Sequence, residues 1–168
     1  EFVSAKIKYN NLVYDVKLRL KGDHLDHLFG EKWSFRIKTK GENTIMGMKR
    51  FSIQQPGIRN FLGEWIFHKA LKDNGIIGLR YEFINVILNG KNLGIYAIEE
   101  HFEKRLLENN SRKDGPIIKF NENSYWEYHA VTPRNNRHFG INEDIYKNSI
   151  VDGYSRTDSL DANYKKAF

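Results

Sequence analysis

Residues 12–21, LVYDVKLRLK, carry an apolar side chain at nearly every second position, and the preceding VSAKIKY, residues 3–9, does the same. A period of two is the spacing of an extended strand, because successive side chains leave a pleated backbone on opposite sides. The two runs are separated by Asn10-Asn11, a pair that tolerates the positive φ of a tight reversal, so a β-hairpin is expected. In the second run Val16, Leu18 and Leu20 share one face and leave Lys17, Arg19 and Lys21 on the other. A third alternating run, WSFRIKTK, turns Trp33, Phe35 and Ile37 inward and Ser34, Arg36, Lys38 and Lys40 outward. With these strands as neighbours, six cations share one face of a sheet.

The stretch GMKRFSIQQPG adds a short strand that stops before Pro56-Gly57. From residue 60 to about 73, Phe61, Leu62, Trp65, Ile66, Ala70 and Leu71 recur at helical spacing, with Asn60 as the expected N-cap and Asn74-Gly75 as the stop. RYEFINVILNG and LGIYAIEE then flank Asn89-Gly90, a strong hairpin signal. A short helix is expected from about His101 in HFEKRLLENN, a strand in GPIIKFN, a long loop over 121–140, and two short helical stretches over 142–150 and 159–168. Strands grouped around one main helix, without βαβ alternation, give an α+β class with an antiparallel sheet.

Composition narrows the functions. At 168 residues, with 40% hydrophobic and 14% aromatic side chains, the chain can bury a core, unlike a disordered tail. No apolar run approaches the roughly 18 residues of a membrane helix. Without cysteine there is no disulfide, thiolate metal site or cysteine nucleophile. The formal charge of +6 favours anionic partners. GxxxxGK[ST], GxGxxG, HRD, DFG and GxSxG are all missing, which excludes a standard P-loop enzyme or protein kinase. His24 and His27, three residues apart beside Asp23 and Asp26, lack a third distant ligand; a polar loop is the simpler reading, and no metal is assigned. Glu99 and Glu100 point to opposite sides of a strand, which argues against a glycosidase pair. Tyr125, Trp126 and Tyr128 read as packing more readily than as a stacking platform. The basic face is either a solvated surface or a holder of phosphate oxygens.

Four motifs in order resemble the CotH kinase family, the spore coat protein H-like proteins, over most of the first 120 residues. They are Lys21-Gly22 after a strand; Lys32, Ser34, Phe35, Arg36, Ile37 and Lys38 in one strand; Arg59 before the main helix; and Asn89, Gly90, Gly94, Tyr96 and Glu100 around the second hairpin. The resemblance implies an atypical, ATP-dependent kinase acting on serine in a protein substrate, with magnesium, and a bacterial setting such as spore coat or cell envelope. Residues 1–100 would resemble the N-lobe of a divergent kinase-like fold. Residues 101–168 would be a connecting segment and the start of a second lobe, with the rest of the chain's own C-terminal lobe as a partner. The family's catalytic aspartates are not found here: Asp144, Asp152, Asp158 and Asp161 sit in no family motif, so the catalytic residues are unassigned and the 168 residues alone are expected to be inactive.

On that resemblance Lys21, Arg36, Lys38, Arg59 and Glu100 are the candidate ATP and phosphate residues, with Lys32, Glu64 and Lys119 behind them. Glu99 is expected to face solvent or mark the helix start. Glu100 is expected at the cleft, where Gln should impair ATP binding without affecting folding. The alternative is a noncatalytic module whose basic face binds an anionic polymer or nucleic acid; the kinase reading gives nucleic acid no role.

Overall fold

The computed structural model describes residues 1–21, 30–113, 117–120 and 151–153. Six antiparallel strands form the main sheet: β1 (Val3–Tyr9), β2 (Leu12–Leu20), β3 (Phe35–Thr39), β4 (Arg50–Gln54), β5 (Tyr81–Leu88) and β6 (Lys91–Glu100), in the order β1-β2-β3-β4-β6-β5. A 3-10 turn (Pro56–Arg59) and helix α1 (Gly63–Asp73) lie between β4 and β5, and helix α2 (Lys104–Asn109) follows β6. Strands β7 (Ile118–Phe120) and β8 (Val151–Gly153) pair antiparallel. The chain divides into two compact units, Glu1–Asp114 and Gly115–Phe168. The α+β class with an antiparallel sheet and one main helix is the one expected. No helix among the described residues is long and apolar enough to cross a membrane.

Both hairpins turn where the asparagines predict. Asn10 and Asn11 have φ of 48° and 63°, and Asn89 and Gly90 have 49° and 83°. Strand alternation then sorts the sheet into two faces. One carries the core: Val16, Ile37, Ile45, Met48, Phe51 and Ile98 are buried together, flanked by Leu18, Phe35 and Ile53. Each such side chain contributes roughly 1.5–3 kcal/mol when fully buried.

Local expectations fail at three places, and one left open is narrowed. Trp33 lies before β3 and remains 47% exposed, its indole donating to the Gly30 carbonyl instead of entering the core. Asn60 is not the N-cap of the main helix. It adopts φ 53° at the end of the 3-10 turn that Pro56 begins, and α1 starts only at Gly63. The helix also docks through a stripe that overlaps the expected one only at Trp65 and Leu71, which are half-buried beside half-buried Glu64 and buried His68, while Phe61, Leu62, Ile66 and Ala70 are exposed. The reason is tertiary: His68 stacks on Tyr81 of β5 at 5.9 Å and accepts a hydrogen bond on Nδ1 from the Leu79 amide. Finally, the basic face is not solvated throughout, because Ser34 is fully buried and Lys21 nearly so. His24, His27, Tyr125, Trp126, Tyr128 and the expected helical stretches over 142–150 and 159–168 lie outside the described residues.

Candidate functional site

The face opposite the core is built by cross-strand register. Arg19 of β2 pairs with Arg36 of β3, Arg36 with Ser52 of β4, Ser52 with Glu99 of β6, and Glu99 with Tyr81 of β5. One row away, Lys17 pairs with Lys38 and Lys38 with Arg50. Like charges directly opposite one another destabilise a sheet, so these rows favour an anion between them.

Lys21 stands just past the end of β2, held there by its backbone N–H, which donates to the Ser34 carbonyl at 2.8 Å. Its ammonium reaches across the sheet, donating to Gln54 Oε1 at 2.8 Å and to Glu99 Oε2 at 2.5 Å. Lys21 is 9% exposed and the Glu99 side chain 15%. Burial pulls the Lys21 pKa below the ordinary lysine value; Glu99 opposes that shift, while the charges of Arg59 and Arg36 reinforce it. Arg36 and Arg59 thus add positive charge around the Lys21–Glu99 pair. Arg36 Nε, Gln54 Nε2 and Ser34 Oγ are buried without a hydrogen-bond partner among the described residues. Positive charge and unused donors on a rigid sheet suit phosphate oxygens.

Two aromatic residues border the cluster. The His101 ring nitrogen Nε2 and Ser52 Oγ are 2.9 Å apart. Burial, helped by Arg36, lowers the His101 pKa to about 4, so the imidazole is neutral at pH 7. Burial raises the Tyr81 phenol, and the neighbouring Gln54 amide partly offsets that shift, although the hydroxyl has no hydrogen-bond partner among the described residues.

Of the candidate phosphate residues, Arg36 and Arg59 lie near enough to act on the charge of Lys21, Arg59 from the exposed end of the 3-10 turn. Lys38 shares their face one row outward and is exposed. Glu64, in the first turn of α1, sits 3.6 Å from His68 Nε2, and its charge acts on Tyr81. The Lys32 ammonium lies 5.9 Å from the Tyr96 ring centre and 3.4 Å from the Ile95 carbonyl, and Tyr96 falls on the Ile98 side of β6, away from Glu99. Lys119 lies on β7, in the second unit.

The two glutamates are distributed differently from the expectation. Glu99 does not face solvent; it is the partner of Lys21. Glu100 is on the core side, opposite Phe51 and 1% exposed, where Arg80 holds both its oxygens: Nε donates at 3.0 Å and Nη2 at 2.7 Å. Arg80 also donates to the Met46 and Gly47 carbonyls, so this pair ties the β3–β4 connection to β6. Gln54, Ser52, His101 and Arg80 were not singled out from sequence. The available signal was FSIQ, in which polar side chains recur at the alternate positions Ser52 and Gln54 of a strand whose other face is core.

A search of the curated proteins returns no significant match. A family model described as CotH kinase protein matches residues 18–165, most of the chain, and the chain belongs to the CotH kinase family.

Proposed function

We propose that the face around Lys21 binds the phosphates of ATP, and that the chain serves an ATP-dependent kinase of the CotH type acting on serine in a protein substrate. The observation that supports this reading best is the buried Lys21–Glu99 pair on a rigid sheet, with Arg36 and Arg59 adding positive charge. Phosphoryl transfer depends on positioning and charge neutralisation, and a lysine oriented by a carboxylate against the triphosphate is a recurring part of kinase sites. Lys21 is then the triphosphate lysine and Glu99 its orienting partner. On this reading the sheet unit is the nucleotide-covering lobe, and the segment beyond it leads towards a second lobe.

The basic residues fit a triphosphate. Magnesium, when bound, would supply further neutralisation of the charge that develops in phosphoryl transfer. Among the described residues there is no group of three or more acidic or histidine side chains to hold it, so no metal ligand is assigned.

The test is ATP-dependent thermal stabilisation. ATP at about 100 times its Kd stabilises a protein that binds it by about 2.7 kcal/mol. Lys21→Met should remove that stabilisation, and Glu99→Gln should weaken it. Equal stabilisation by polyphosphate or single-stranded nucleic acid, lost steeply with salt, would favour the noncatalytic basic-surface module instead.

A further inference from the structure

We propose that Gln54 is a positioning residue for Lys21, which together with Glu99 holds two of the three ammonium N–H groups and leaves one for a single phosphoryl oxygen. The proposal deepens the nucleotide reading above and rests on it for the identity of the anion.

Gln54 is fully buried in the middle of the sheet, between β3 and β6. An amide in such a place is costly unless it is hydrogen-bonded, and an apolar side chain would fill the position at less cost. Its carbonyl oxygen is used, accepting from the Lys21 ammonium at 2.8 Å. The Tyr81 hydroxyl borders the same amide, and Tyr81 is stacked on His68 of α1, so Gln54 is wedged between the docked helix and the lysine. The polar side chain therefore has a definite task, fixing where the ammonium points.

Charge explains why the second acceptor is an amide. An ammonium has three donors and no acceptor. Glu99 takes one with a full negative charge and Gln54 takes another with none. Arg36 and Arg59 add positive charge to that of Lys21, and a second carboxylate at position 54 would remove one unit of it. Gln54 thus orients Lys21 without using up the charge that attracts phosphate. The count has a consequence: with one free N–H, Lys21 contacts one oxygen, and the other phosphate oxygens fall to Arg36, whose buried Nε has no partner among the described residues.

The experiment uses the whole 168-residue chain, 15N-labelled, and detects lysine ammonium groups by NMR, where a group held by buried acceptors exchanges slowly enough to be seen. Lys21→Arg identifies the signal. The wild type should show it at neutral pH, Gln54→Leu should lose it, and Gln54→Glu should restore it. In parallel, ATP affinity should fall about tenfold in Gln54→Leu, the loss of one ordinary hydrogen bond. It should stay low in Gln54→Glu, where the geometry is restored but positive charge is lost. Should Gln54→Leu fail to fold, Gln54→Asn takes its place, since its shorter amide cannot span to the ammonium. An ammonium signal that persists unchanged in a folded Gln54→Leu or Gln54→Asn chain overturns the proposal. If the signal behaves as expected but wild type and Lys21→Arg show no ATP binding at all, the nucleotide reading fails and the positioning role of Gln54 stands.

Discussion

Glu99 and Glu100 are neighbours in the chain and meet different cations, because alternation along β6 sends one to each face. Their partners respond differently to losing a carboxylate. Lys21 can release its proton, and burial already makes that easier. Arg80 cannot, since guanidinium stays protonated in proteins. Glu100→Gln should therefore lower unfolding stability by about 2 kcal/mol, measured by urea titration at pH 7, because Arg80 loses a charged acceptor while keeping the Met46 and Gly47 carbonyls. Glu99→Gln should cost less, about 1 kcal/mol, and act mainly on anion binding. His101 supplies a pH signature. Its folded pKa of about 4 lies below the unfolded value near 6.5, so the unfolded chain takes up the proton first as pH falls. The stability it contributes is fully present above pH 6.5 and is lost progressively between about 6.5 and 4, up to about 3 kcal/mol. Urea titrations at pH 7 and pH 5 should show that loss, and His101→Gln should reduce it.

At the level of elements, two glycines carry more than their size suggests. Gly94 lies inside β6 at φ 74°, where the pairing with β5 shifts register near Val86 and Ile87 and the Asn92 side chain accepts from the Gly94 amide. Gly94→Ala should cost about 1–2 kcal/mol, read as a lower urea midpoint. Gly78 has a different constraint, close approach: a Cβ there would sit 2.9 Å from the His68 carbonyl of α1. Gly78→Ala should cost about 1–3 kcal/mol and loosen the helix that stacks on Tyr81, visible as faster amide exchange in α1. Both hairpins were legible in the sequence because Asn-Asn and Asn-Gly pairs state their own backbone geometry. The start and docking face of α1 were not, because the stripe from Phe61 to Ile66 mimics a buried helix face. What decided the matter was the stacking of His68 on Tyr81, a contact with a strand that begins thirteen residues later (81 minus 68).

Over the whole molecule, the compact sheet unit extends to Asp114, beyond the residue 100 at which sequence suggested a division. Leu106 of α2 is 1% exposed, and the Asn109 side chain lies 3.5 Å from Glu100, so α2 completes the first unit. A chain ending at 114 should unfold cooperatively in urea with native-like circular dichroism, whereas one ending at 100 should not. The sequence by itself determined the α+β class, the hairpins, the basic face with Lys21 and Arg36, and the family. These follow from periodicity, turn chemistry and motif order, all of which are properties of nearby residues. Tertiary structure alone decided which carboxylate meets Lys21, that Gln54 joins them, and that Glu100 belongs to Arg80. Strand order places β4 between β3 and β6 and so brings residues 21, 54 and 99 to one spot, and no local pattern encodes which strands will be neighbours across a sheet.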